Sequence, residues 1–424
     1  MLSADGNRAD LRFAVERGQY VSMGDTFYQG NFKTRKRTLR HALDLEQGEP
    51  FSLSRLYAAQ KDLRDMGVFE SVKFKTLGLK EGDERVTLIV DVEETAPYYL
   101  QGSTGYTSDR GLYAATRAGD RNLLGLAVNS WLGGEVSQIG HKFEAHLSQK
   151  RTLNTRLSTA YNYSYEKKEE FNQDFGTRVS GASLLLGCPF DELKLKSGLE
   201  VRYERREAYP VEYSARQVAA NYSSRKLVVT TPSLSYDSRD SFVRPRKGWL
   251  ASVSLDASRG IQSDYDDFNK YSCKLRYYTS PLAWLTLAFA GDYGHIDPLG
   301  SARQITADQL LYSGGTMSVR GYAENLLRHD AADSPVGGLQ SAVVSLEARC
   351  ALSPHWELSL FGDSGTVREA LPESPGRECW RSSAGLGLRY VTPIGPMGLM
   401  YGYKLNPAEG DGRGRLHFSL GYTF

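Results

Sequence analysis

The chain has 424 residues, with 52 Lys plus Arg against 50 Asp plus Glu and a mean hydropathy of −0.44. Near-balanced charge argues for no particular polyanionic partner, and nucleic acid is not an expected one. No run of about 18 apolar residues exists, which excludes a transmembrane helix, whereas a transmembrane barrel, whose strands alternate lipid-facing and lumen-facing residues, stays compatible with such mild polarity.

High Gly (42) and Tyr (26) suit many short strands joined by tight turns, with aromatics at the membrane interfaces. The four cysteines, Cys188, Cys273, Cys350 and Cys379, lie far apart without a C-x-x-C. They are read as free thiols, and with seven scattered histidines no metal or cofactor is expected. Met1 is followed by a polar stretch with no apolar leader. An exported barrel needs one, so the chain is expected to be an N-terminally incomplete part of a longer protein.

In chain order, Leu11, Phe13 and Val15 alternate with polar neighbours, echoing Val86, Leu88, Val90 and Val92. The repeat assigns residues 1–18 to the end of a preceding module. Residues 19–95 read as one α+β domain. A strand ends at Gly30, and Thr34 is the expected cap of a helix to about Leu43. A second helix, Ser54 to Met66, carries Leu56, Ala59, Leu63 and Met66 on one face and stops at Gly67. Strands at 68–75 and 85–92 complete a β-α-α-β-β order.

From residue 96 to 424 the helical period disappears. Sixteen alternating stretches run from 98–106 to 415–424, an even number, as a single-chain bacterial barrel requires. Connections after even-numbered strands are short, while 204–225, 293–338 and 363–382 are long; that segregation is expected of a membrane barrel. In the last stretch Leu416, Phe418, Leu420, Tyr422 and Phe424 face one way, and His417, Ser419, Gly421 and Thr423 the other.

Four motifs stand out. Two glycines open the segment Ser313–Tyr322, which ends in Val319-Arg320-Gly321-Tyr322; Gly321 beside Arg320 points to a tight turn that fixes the guanidinium. Phe361-Gly362-Asp363-Ser364-Gly365 follows it. Side-chain parity puts Glu357, Ser359, Phe361 and Asp363 on one face of their strand, and Ser345, Glu347 and Arg349 on one face of its neighbour. Asp363 and Glu347 therefore both point inward. The third motif joins Asp237-Ser238-Arg239-Asp240 to Pro245 and Gly248-Trp249 at a turn, where Asp240 can cap amides; it reads as structural. Gly119–Gly125 marks another short turn. Gly362-Asp363-Ser364-Gly365 also spells a protease tetrapeptide, but a serine nucleophile needs a positioned His and Asp, and no enzyme activity is expected.

Together the loop tetrad, the F-x-D-x-G strand, the D-x-R-D…G-W turn and the aromatic end resemble the BamA/TamA family of outer-membrane barrel assembly proteins. Residues 19–95, with G-V-F-E-S-V at the second helix end, are similar to a POTRA domain. The resemblance implies a POTRA domain followed by a 16-stranded antiparallel transmembrane barrel, at the outer membrane of a Gram-negative-type bacterium with the POTRA domain in the periplasm. It implies that unfolded outer-membrane clients are bound by β-augmentation on the POTRA edges and inserted through a seam between first and last strands. Outer-membrane lipids and accessory periplasmic lipoproteins are the other implied partners. Arg320 is expected to fold into the lumen and pair with Asp363, with Glu347 as a second partner. A water-filled lumen would put the loss of Arg320 between the roughly 3–5 kcal/mol of a buried pair and the roughly 0–1 of an exposed one. Leu420, Tyr422 and Phe424 resemble a C-terminal targeting signal. Two other classes remain open: a two-partner secretion transporter similar to FhaC, and a passive porin.

Overall fold

The computed structural model describes residues 19–107, 111–152, 155, 157–170, 172–173, 175–190, 193–210, 224–242, 244–261, 266–299, 305–329, 334–369, 380–392, 395–407 and 412–420. The expected remnant at residues 1–18 lies outside them. Two compact units form: residues to Pro97 with Arg121–Val128, and Tyr98–Asp120 with Asn129–Phe424.

The first unit runs β1 (Ser22–Gln29), α1 (Lys36–Leu43), α2 (Leu53–Asp65), β2 (Phe69–Leu77) and β3 (Arg85–Glu94). Its sheet has the order β1-β3-β2, with β1 parallel and β2 antiparallel to β3. The period-2 stripe of β3 makes it the central strand. Leu88, Val90 and Val92 are buried against Leu39 and Leu43 of α1 and Leu56 and Leu63 of α2. Each such side chain stabilises the fold by roughly 1.5–3 kcal/mol.

Helix starts differ from the sequence reading. Ser52 caps α2, its Oγ accepting from the Arg55 amide at 3.4 Å, so that helix begins one residue early; Gly67 ends it at φ +75. Thr34 does not cap α1, whose N-cap residue is Arg35 without a side-chain bond. Thr34 turns inward instead: its amide donates to Glu94 Oε1 at 2.6 Å and its hydroxyl to the same oxygen. Asn122 Nδ2 donates to Thr34 Oγ1 at 2.8 Å, and the Lys33 amide donates to Glu94 Oε2 at 2.9 Å. A carboxylate that takes three donors is a stronger attractor than a helix end.

Burial alone would raise the Glu94 pKa, but the bonds from Thr34 and the neighbouring amides offset it and hold the carboxyl below its usual range. A depressed folded-state pKa means stability that is present above the unfolded value and lost as pH falls through the folded one. Hydrogen-exchange protection of the Lys33 and Thr34 amides should therefore drop on acidification below about pH 4, and Glu94→Gln should lower it at every pH without titrating. Protection in the native chain that stays constant to lower pH would refute this.

The second unit is a sheet of sixteen strands in chain order. They are β4 (Tyr98–Thr107), β5 (Gly111–Leu123), β6 (Val128–Ser137), β7 (Gly140–Gln149), β8 (Ser158–Glu169), β9 (Phe175–Phe190), β10 (Leu195–Pro210) and β11 (Arg225–Asp237), then β12 (Gly248–Gly260), β13 (Phe268–Leu282), β14 (Leu285–Pro298), β15 (Gln340–Ala351), β16 (Trp356–Arg368), β17 (Arg381–Thr392), β18 (Gly395–Lys404) and β19 (Gly414–Leu420). The sheet curls until its end strands meet: the rings of Tyr106 on β4 and Phe418 on β19 lie 6.2 Å apart. Polarity is inverted relative to a water-soluble core. Leu346, Leu360, Leu386, Leu399 and Leu416 are exposed, while Glu347, Ser359, Asp363, Ser383 and Arg389 are buried. An apolar outer belt around a polar interior is the pattern of a barrel solvated by lipid.

Connections follow the expected segregation, with 211–224, 299–339 and 369–380 as the long ones. β9 and β10 reach 16 residues each, beyond the roughly 9–11 that cross a bilayer.

Candidate functional site in the barrel lumen

The connection after β14 folds into the barrel, because its own polar groups find partners there. A 3₁₀ turn at Ala307–Gln309 holds its start. Arg225 at the head of β11 donates to Asp308 and to Thr306, both at 2.7 Å, and pairs with Asp266. Arg206 of β10 reaches the other Asp308 oxygen at 3.1 Å. Leu311 and Gly338 exchange backbone bonds at 2.9 Å and close the base of the loop. Gly314 and Gly315 both take positive φ, at 112 and 93, so the chain reverses into the tip.

At the tip the tetrad and the F-x-D-x-G strand interlock residue by residue. Phe361, Asp363 and Gly365 share the inner face of β16, as alternation demands. The Arg320 amide and Nε donate to Asp363 Oδ2 at 3.0 and 2.9 Å, and Nη2 donates to Oδ1 at 2.7 Å. Its guanidinium lies 3.6 Å from the centre of the Phe361 ring, so the planar cation is gripped edge-on by a carboxylate and face-on by an arene. Gly365 makes room for the first residue of the tetrad: a Cβ there would stand 2.8 Å from Val319 Cγ2. Val319, Tyr322 and Leu327 then pack on Val343 and Val367 in a small apolar cluster.

Gly321 is required for another reason than the turn anticipated. Its φ is not left-handed; a Cβ would meet the Ser383 Cβ of β17 at 2.6 Å. Close approach lets the Gly321 amide donate to Ser383 Oγ at 3.0 Å. Tyr322 ends the tetrad under Lys404, whose Nζ is 4.6 Å from the ring centre.

Glu347 extends the cluster along the wall. It accepts from Arg320 Nη1, from Arg349 Nε at 2.9 Å and from Arg389 Nη1 at 2.6 Å. Arg389 continues to Glu357 at 3.4 Å, and Glu357 accepts from Arg244 at 3.3 Å. Alternating charges thus run from the loop tip, through β16, β15 and β17, to the turn between β11 and β12. Arg320, Glu347 and Asp363 are 2%, 2% and 3% exposed, so the tip is not bathed by a water-filled lumen.

That same turn holds the third motif. Arg239 forks onto Asp237 at 2.9 and 2.8 Å. Asp240 Oδ1 accepts from the Arg246 and Lys247 amides at 2.9 and 3.2 Å. Pro245 is buried, Gly248 takes φ 108, and Trp249 packs on Tyr277 with ring centres 4.1 Å apart. These residues build the turn; the residue that carries it into the lumen is Arg244, which the motif passes over.

Comparison with known proteins bears on this arrangement. The profile of the Omp85 superfamily domain matches residues 122–424. The chain belongs to the Omp85 superfamily. A POTRA profile, described as a surface antigen variable number repeat, matches residues 22–95 of this Omp85 chain. Outer membrane protein assembly factor BamA of Nitratidesulfovibrio vulgaris is 25% identical over all of the chain and 54% of its own length. BamA of Neisseria meningitidis serogroup B is 23% identical over all of the chain and 59% of its length. The chain therefore spans little more than half the length of these relatives. Among solved structures, Haemophilus ducreyi BamA lacking POTRA domains 1–3 superposes with a TM-score of 0.80 at 20% identity, covering 96% of this chain and 85% of its own. CdiB from Acinetobacter baumannii does so with 0.60 at 15%, covering 95% and 74%. Both share the fold.

Within the Omp85 barrel, the sequence brings Arg320, Asp363 and Glu347 together as their motifs and parity indicate. Leu420 ends β19, and its side chain, with Tyr422 and Phe424, lies outside the described residues, as does Cys379; Cys188, Cys273 and Cys350 are free. Sequence reasoning missed Arg389, Glu357, Ser383 and the part played by His417. Inward parity, on β16 for Glu357 and on β17 and β19 for the others, was the one signal available for them.

Proposed function

We propose that this chain is the barrel and adjoining POTRA domain of an outer-membrane insertase. It takes unfolded outer-membrane β-proteins from the periplasm and places them in the lipid, with no enzymatic step and no cofactor. The free energy comes from the clients themselves, which bury apolar surface and pair backbone groups in the bilayer. The observation that carries the reading is the junction of β4 and β19. They are the end strands of the sheet, and β4 holds Gly102, Ser103, Thr104 and Gly105 in succession, a stretch with little side-chain packing to lose. An end strand that separates from its neighbour offers the template that an incoming strand needs. β1 and β2, the edges of the small sheet, can hold a client segment by the same pairing. Lipid around the exposed leucine belt and lipoproteins at the periplasmic side complete the set of partners.

The test uses the full-length protein in liposomes and an unfolded outer-membrane barrel as client, with folding followed by heat-modifiability on gels. Faster folding than in empty liposomes supports insertion. Equal rates, with a soluble client released across the membrane instead, would establish export. A large steady conductance in planar bilayers would point to a passive pore.

A further inference from the structure

The tip of the lumenal loop is bonded not only to the wall beneath it but to the last strand of the sheet. His417 of β19 is 4% exposed and touches the loop at two points. Its Nε2 lies 2.8 Å from the Arg320 carbonyl oxygen, and its Nδ1 lies 3.2 Å from Thr316 Oγ1. One tautomer satisfies both contacts: the Thr316 hydroxyl donates to Nδ1, and Nε2–H donates to the carbonyl. The imidazole therefore spans the turn 316–320 like a clip. The far side of Arg320 is fixed to β16 through Asp363, and the Gly321 amide is fixed to β17 through Ser383. β19 is the strand that faces β4 across the closure of the sheet, where Tyr106 and Phe418 meet.

We propose that His417 makes the loop a latch on the last strand: while the clip is closed, β19 is held in the wall, and its separation from β4 requires the clip to release. Sequence alternation supports the geometry. On β19 Leu416 and Phe418 point to the outer side while His417 points inward, so a single strand presents one residue to the closure and the next to the loop. Leu416 is 59% exposed on the outside. Any outward swing of β19 pulls His417 from two partners whose own positions are set by a buried arginine–carboxylate fork. The last strand and the loop tip thus share one equilibrium. His417 acts here as a positioning residue, and its meaning for client insertion rests on the function proposed above.

Nitroxide labels at Thr104 on β4 and Leu416 on β19, both exposed in the native chain, report the separation of the two strands in the full-length protein in lipid. The native chain should give a narrow, short distance distribution. His417→Leu should raise the separated fraction roughly five- to tenfold, the weight of about one lost buried hydrogen bond. His417→Gln, which keeps an amide donor near the Nε2 position, should restore the narrow distribution. Thr316→Val, which removes only the hydroxyl partner, should have a smaller effect in the same direction. An unchanged distribution in His417→Leu overturns the latch. If that variant fails to fold, an unchanged distribution in Thr316→Val overturns it. Client folding on the same samples separates the two ideas: shifted distances without any client acceleration retain the latch and reject the insertase.

Discussion

Replacing Arg320 by alanine should destabilise the barrel by roughly 3–5 kcal/mol, the range for breaking a buried ion pair by removing one partner. The reason is what the substitution leaves behind. Asp363 loses three donors from one residue and, among the described residues, keeps only the Ser383 hydroxyl, 3.4 Å away; Glu347 retains Arg349 and Arg389. With Asp363 3% exposed, the carboxylate lies away from bulk water, which limits how much solvent replaces. A water-filled lumen would have predicted a milder effect, and the burial of the cluster decides for the larger one. Lysine should rescue only part of the loss. It restores charge but not the fork onto Asp363 or the stacking on Phe361. Denaturant unfolding in lipid or detergent, with heat-modifiability as a second probe, gives the measurement. An Arg320→Ala barrel within about 1 kcal/mol of native, the range of an exposed pair, would refute the structural role assigned to the clamp.

How much of this was legible beforehand depends on whether one residue's neighbours along the chain carry the information. The pairing of Arg320 with Asp363 was, because parity along β16 and a recognisable tetrad each fix one end of it. So was the inward set of β15, where Val344 and Leu346 lie outside and Ser345, Glu347 and Arg349 inside. Strand ends were less so. β14 runs to Pro298 and β10 to Pro210, past the points where apolar alternation fades. Outside the bilayer no lipid enforces that alternation, and strands there are held by cross-strand pairs such as Arg178 with Glu207 at 3.2 Å. Arg389, Arg244 and His417 were invisible as partners for another reason. Each meets residues that are distant in sequence, and nothing local distinguishes an inward arginine that closes a charge chain from one that faces lumenal water. Thr34 shows the converse error: its local context suits a cap, but the tertiary carboxylate of Glu94 attracts it more strongly.

Locking the sheet shut between β4 and β19 should abolish client insertion. Fifteen of the sixteen junctions in this barrel are ladders between strands consecutive in the chain, each joined by a covalent turn or loop. The junction of β4 with β19 alone lacks such a tether, so once the His417 clip releases strands can part there without unfolding another ladder. β4 itself resists little: Gly102 and Gly105 sit in mid-strand, where glycine weakens pairing by its entropy and its missing contacts. The Tyr106–Phe418 contact contributes on the order of 0.5–1.5 kcal/mol beyond its area, an amount that thermal motion overcomes on the timescale of insertion. The experiment removes Cys188, Cys273, Cys350 and Cys379 and scans cysteine pairs between residues 99–105 and 416–422, using the Tyr106–Phe418 contact as the guide to register. Pairs that cross-link efficiently are then tested in the liposome assay. Oxidation should bring client folding down to the rate in empty liposomes, and reduction should restore it, while a cross-link between two strands already joined by a turn should change nothing. Full activity in the oxidised state would show that clients enter the bilayer by a route other than this junction.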